Sequence, residues 1–105
     1  MDLDLLSEHL LWAENEKLFM YKDSVGVWTI GVGHNIQERG ISKAVSRQIL
    51  KEDMDEVVRD CRVLSYWDAL DPVRQLVVAD MVFNLGLSKF LKFVNLNKAL
   101  VAKDY

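Results

Sequence analysis

The chain has 105 residues, half of them apolar, with 13 basic and 16 acidic side chains and a net charge of −3. That length allows one compact domain, or two small lobes sharing a helix, around a modest core. The charge balance and the absence of any basic run exclude a nucleic-acid binder, the single Cys61 excludes an internal disulfide and fits synthesis in a reducing compartment, and His9 and His34 have no partners at metal-ligand spacing.

The first twelve residues, M-D-L-D-L-L-S-E-H-L-L-W, are acidic and lack a basic stretch followed by a pure apolar run, so they do not read as a signal peptide. No segment of the sequence is long and apolar enough to span a bilayer. Leu3, Leu6, Leu10 and Ala13 recur at helical spacing and predict a first helix to about Glu14 with one buried stripe. Asn15 follows as a left-handed residue closing that helix.

Leu18–Tyr21 suits a strand, Lys22-Asp23-Ser24-Val25-Gly26 has turn chemistry, and Val27–His34 reads as the return strand. Alternation along that strand puts Trp28, Ile30 and Val32 on a core-facing side, with Thr29, Gly31 and Gly33 on the other. A strand face so poor in bulk has the profile of a cleft wall. Asn35–Gln37 extends this region as a short third strand, and Glu38-Arg39-Gly40 turns the chain.

Ser42 is a good N-cap for a helix from Lys43 to about Arg62. Its apolar face switches midway, from Val45 and Ile49 to Leu50, Met54, Val57, Val58 and Cys61, as expected of a connector between a small sheet lobe and a helical lobe. Cys61 is then a core residue, since no base or second thiol lies near it in the sequence. After a short helix or turn at Tyr66–Leu70, Asp71 and Pro72 supply an N-cap and a first-turn proline. Leu76–Leu85 is apolar nearly all round, which predicts a central buried helix closed by Gly86. Asp80 and Asn84, four apart on it, can satisfy each other. Ser88–Phe93 and Asn95–Lys103 are two further short helices.

The chemistry concentrates between Glu14 and His34. Eight residues separate Glu14 from Asp23, and five separate Asp23 from Thr29. At a helix C-terminus, Glu14 faces the negative end of the dipole, which disfavours its ionised form; Asp23, in a polar turn beside Lys22, should stay ionised. Two carboxyls in environments pushed apart make an acid and base pair, as glycoside cleavage requires. Either acid alone reads more simply as a solvated helix-end or turn residue; the joint spacing, with Thr29 on a glycine-stripped strand, shifts the balance.

This pattern, E-x8-D-x5-T carried on Y-K-D-S-V-G-V-W-T-I-G-V-G-H, resembles the bacteriophage-type lysozymes of glycoside hydrolase family 24. The similarity runs through Gly40–Asp55 into Leu70-Asp71-Pro72-Val73-Arg74 and Met81–Gly86, nearly the whole chain from Leu10 onward. Asparagine at position 15 departs from the family's usual glycine. The resemblance implies an α+β, mostly helical, two-lobed fold: a sheet lobe over about 15–41, a connecting helix over about 43–62, and a helical lobe from 1–14 plus 66–105. It implies a muramidase that cuts the β-1,4 bond between N-acetylmuramic acid and N-acetylglucosamine in peptidoglycan, without a cofactor. Glu14 would be the general acid, Asp23 would act on the nucleophilic side, and Thr29 would hold the attacking water. Gly33, Phe83 and Asn84 would border the sugar cleft, and His34 would pair structurally with Asp53. Made in a host cytoplasm, such a protein commonly reaches the wall through a holin-type membrane lesion.

Two expectations run against a simple enzyme. The acidic balance is awkward for an acidic cell-wall substrate. Relatives also continue past the position of Tyr105, so the second lobe is expected to be incomplete, with an apolar patch over Leu76–Leu85 and Phe90–Leu100 either exposed or buried against another copy. A non-catalytic peptidoglycan-binding module is therefore the alternative, and a lytic transglycosylase a weaker third, since it needs no water-positioning pair.

Overall fold

The computed structural model covers residues 1–105, and the chain divides into two compact units, Met1–Lys43 and Ala44–Tyr105. It is a mostly helical α+β protein with one three-stranded antiparallel sheet in the order β1-β2-β3. That is the fold class expected from the sequence.

In the first unit, helix α1 spans Leu3–Ala13, opened by Asp2, whose side chain accepts from the Leu5 N–H at 3.0 Å. Such a cap satisfies one of the amides that a helix start leaves without a partner. The expected buried stripe is absent: no residue of α1 is buried. Leu3, Leu6, Leu10 and Leu11 border a shallow groove to which Val32 is the one contribution from outside the helix. A stripe is buried only when another element covers it, and within this unit only a small sheet and a one-turn helix are available. The expected left-handed Asn15 is also absent, because the one non-glycine residue with positive φ is Lys103. Helix α1 ends instead with Glu14 turning to extended backbone, at φ −100° and ψ 138°.

Strand β1 covers Lys17–Lys22, β2 Trp28–Gly31 and β3 His34–Asn35. Lys17 pairs with Gly31 and Tyr21 with Thr29, so Leu18, Phe19 and Met20 bulge opposite Ile30. The return strand is shorter than expected. It stops at Gly31, and a tight turn through Gly33 starts β3, with φ of +67° at Gly31 and +68° at Gly33. These glycines serve the turn rather than a strand face. The expected facing fails at Trp28 and Thr29: Thr29 is the buried residue, 4% exposed, while Trp28 is 39% exposed under the ammonium of Lys22, 5.2 Å from its ring centre, and Ile30 and Val32 are half-buried. A single sheet has no second layer on which to bury its apolar side. Thr29 can be buried because its hydroxyl is hydrogen-bonded.

The third strand ends sooner than expected because Asn35 caps helix α2, Ile36–Arg39. Asn35 Oδ1 accepts from the Glu38 N–H at 3.0 Å, and its amide donates to Glu38 Oε2 at 3.2 Å. Gln37 Oε1 accepts from the Trp28 N–H at 3.1 Å and ties α2 to β2.

The second unit holds most of helix α3, Lys43–Cys61, then a single 3₁₀ turn at Trp67–Ala69 and helices α4, α5 and α6 at Pro72–Leu85, Leu87–Leu91 and Val94–Ala102. Asp71 caps α4 by accepting from the Arg74 N–H at 2.8 Å, and Pro72 occupies its first turn. The core gathers Cys61, Leu64, Tyr66, Leu70, Val78, Val82, Phe90 and Leu100. Tyr66 donates to Asn97 Oδ1, and Asn97 Nδ2 in turn donates to the Phe90 and Phe93 carbonyls, linking the 3₁₀ turn to α5 and α6. Cys61 is fully buried, as expected, and burial first, with Asp60 second, pushes its thiol pKa up.

Helix α4 is not buried all round. Val78 and Val82, four apart, face the core, while Leu76 is 69% exposed and Val77, Phe83 and Leu85 are also exposed. The two short helices after Gly86 are too few to sheathe every side. Leu91, Phe93, Val94 and Leu96 add to the exposed apolar surface, in the region where the sequence predicted a patch.

Candidate active site

Glu14 owes its place to the end of α1. Its N–H still bonds the Leu10 carbonyl at 2.8 Å, so its Cα is fixed by the helix while its backbone already leaves it. The side chain is exposed and crosses the β2–β3 turn at Gly33. A Cβ added to Gly33 would stand 3.3 Å from Glu14 Cδ and 3.4 Å from Oε2. Glycine at 33 thus satisfies both the left-handed turn and the close approach of the carboxyl.

Asp23 and Thr29 are joined through Val27. The Asp23 N–H donates to the Val27 carbonyl, and the Val27 N–H donates to Asp23 Oδ1, both at 2.9 Å. The Thr29 hydroxyl donates to the same Val27 carbonyl at 2.9 Å. Asp23 Oδ1 also accepts from the Val25 N–H at 2.9 Å, and the Gly26 N–H closes the turn onto the Asp23 carbonyl at 3.0 Å. One carboxylate oxygen therefore holds the loop, while Oδ2 receives no protein donor. The hydroxyl proton of Thr29 is committed, so its oxygen can meet a further polar group only as an acceptor.

Glu14, Asp23, Thr29, Gly33 and His34 all lie in the first unit. His34 Nε2 is 2.6 Å from the Gly40 carbonyl, and since a carbonyl only accepts, Nε2 carries the proton and Nδ1 is left for another partner. Asp53, Phe83 and Asn84 lie in the second unit. Asp53 and Phe83 line one shallow pocket together with Glu56, Val57 and Asp60. Asn84 donates to the Asp80 carbonyl at 2.8 Å and to its carboxylate at 3.1 Å, the mutual satisfaction expected of that pair, which leaves the Asn84 carbonyl oxygen open. Two contributors were not visible in the sequence: the Val27 peptide, whose side chain gives no signal, and Gln37, whose partner lies nine residues away.

A family model described as phage lysozyme matches residues 13–105. The chain belongs to the phage lysozyme family. Probable T4-type lysozyme 2 of Dictyostelium discoideum is 27% identical over 130 residues, covering 95% of this chain and 76% of the relative. Probable T4-type lysozyme 1 of the same organism is 25% identical over 118 residues, covering 84% and 69%. The SAR-endolysin of Escherichia phage Mu is 32% identical over 109 residues, covering 97% of this chain and 60% of that protein. The matched span includes every candidate residue from Glu14 to Asn84.

Proposed function

We propose that this phage lysozyme family member is a peptidoglycan hydrolase that cleaves the β-1,4 bond between N-acetylmuramic acid and N-acetylglucosamine. The observation that carries the reading is the network through Val27, which leaves one carboxylate oxygen and one hydroxyl oxygen, on a common anchor, without protein donors. Such a pair is suited to receive the two protons of a water. Glu14 donates its proton to the leaving glycosidic oxygen as the bond to the anomeric carbon breaks. Water attacks that carbon from the opposite face, and Asp23 accepts the proton it sheds, while Thr29 accepts its second O–H as a hydrogen bond. A water between Asp23 and the sugar requires the two carboxyls to stand roughly 6.5–9.5 Å apart, which gives inversion at the anomeric carbon.

Gly33, Phe83 and Asn84 are assigned to substrate binding. The open carbonyl oxygen of Asn84 suits a sugar hydroxyl or amide N–H. Action on the cell wall from the cytoplasm calls for a separate release step, for which a holin-type lesion is the proposed route, and no helix is long and apolar enough to cross a membrane.

Clearing of purified cell walls, with the anomeric configuration of the first product followed by NMR, tests the proposal. Falling turbidity with release of inverted reducing ends supports it. Retained configuration would instead point to a covalent intermediate on Asp23. Wall binding without clearing would instead establish a non-catalytic wall-binding module.

A further inference from the structure

We infer that Gly33 is a positioning residue for Glu14: the bare α-carbon of the β2–β3 turn is the shelf that sets where the acid's carboxyl can sit. The inference rests on the reading of Glu14 as the general acid. The Glu14 side chain makes no hydrogen bond or ion pair within the protein and is exposed, so polar contacts do not aim it. What limits it is its own backbone, fixed by the end of α1, and the surface beneath it. That surface is Gly33, where an added methyl would meet the carboxyl carbon at 3.3 Å, Oε2 at 3.4 Å and Cγ at 3.6 Å. The first of these is tighter than ordinary van der Waals contact, and the crowded group is the reacting end of the side chain. A Cβ there makes the carboxyl give way by a few tenths of an ångström and takes water from one of its faces.

The turn contains its own control. Gly31 has φ +67°, against +68° at Gly33, and a Cβ at Gly31 would meet nothing within 4 Å. Alanine at either position suffers the same left-handed backbone strain. Only alanine at 33 also displaces Glu14. A purely conformational role for Gly33 therefore predicts that the two variants behave alike, and a positioning role predicts that they part.

The experiment compares wild type, Gly31→Ala and Gly33→Ala by melting temperature, by the pH profile of wall clearing, and by the carboxyl ¹³C titration of Glu14. Gly33→Asn is included because asparagine tolerates the left-handed region while still carrying a Cβ. Both alanine variants should lose a similar amount of melting temperature. Gly33→Ala and Gly33→Asn should lose about tenfold or more in clearing rate, with the Glu14 titration midpoint displaced. Gly31→Ala should stay within about twofold of wild type, with the midpoint unmoved. Equal clearing rates and equal midpoints in the Gly31 and Gly33 variants would overturn the inference. Should wild type itself fail to clear walls, the functional reading falls, and the Glu14 midpoint alone decides whether Gly33 sets the carboxyl's surroundings.

Discussion

Asp23 and Thr29 are held in fixed relation by Val27, whose carbonyl accepts from both the Asp23 N–H and the Thr29 hydroxyl while its own N–H donates to Asp23 Oδ1. The relation is local, spanning seven residues of one hairpin, and it assigns the two Asp23 oxygens different work. Oδ1 builds the turn, and Oδ2 receives no protein donor.

Substitutions at Asp23 can separate these two jobs. Asp23→Asn keeps an oxygen acceptor for the Val25 and Val27 amides, so the hairpin should persist while wall clearing falls by on the order of 10²-fold or more. Asp23→Ala removes the acceptor as well and should lower the melting temperature further. Clearing assays and thermal unfolding on both variants check this. An Asn variant as active as wild type would remove Asp23 from the mechanism.

Thr29 makes the same kind of case inside the sheet. Thr29→Val preserves shape but removes a buried donor from the Val27 carbonyl, which still accepts from Asp23. The expected loss is about 1 kcal/mol of stability, measured by urea denaturation, with a fall in clearing rate. Thr29→Ser keeps the hydroxyl and should retain most of the activity. A Val variant that clears walls like the Ser variant would show that the hydroxyl oxygen is not used.

The local features of this chain were legible in its sequence because they need only their neighbours. The Asp71–Pro72 helix start, the Asp23 turn, the Asp80–Asn84 pair and the existence of three strands all depend on residues within a few positions of each other. The spacing of Glu14, Asp23 and Thr29 was legible for the same reason. Burial was not, because it depends on what covers a face. Periodicity marks the apolar stripe of α1 but does not supply the element that would bury it, and the continuous apolar run of α4 hides the fact that only Val78 and Val82 are buried, with Ala79 and Met81 partly buried against the core. Thr29 shows the converse, since a polar residue is buried where its hydroxyl has a partner.

Asp71 gives a pH dependence with a defined sign. The backbone N–H of Arg74 first, and its guanidinium second, hold the Asp71 pKa below the ordinary carboxylate value of 3.8. A carboxyl with a depressed folded pKa contributes stability above its unfolded pKa and loses that contribution as pH falls through the folded one. Asp71→Asn should therefore melt below wild type at pH 7, and the gap should narrow as pH drops below about 3.8. Melting curves across that range check it, and a gap that widens in acid would contradict the assignment.

Phe90 is the largest fully buried side chain of the second unit's core. Phe90→Ala should cost about 3–5 kcal/mol, a large share of the stability of a small domain. Chemical denaturation should show a sharply lowered midpoint or an unfolded variant. A shift under about 1 kcal/mol would mean that the core does not depend on this ring.

The central claim, that Glu14 is the acid of a cell-wall hydrolase, is tested most directly by the rate at which Glu14→Gln clears purified peptidoglycan beside wild type. The side chain is exposed and makes no polar contact within the protein, so the amide should leave the fold and melting temperature unchanged. Removing a general acid should lower the rate by on the order of 10²–10⁴-fold. A Glu14→Gln protein that clears walls within a few-fold of wild type would contradict the account.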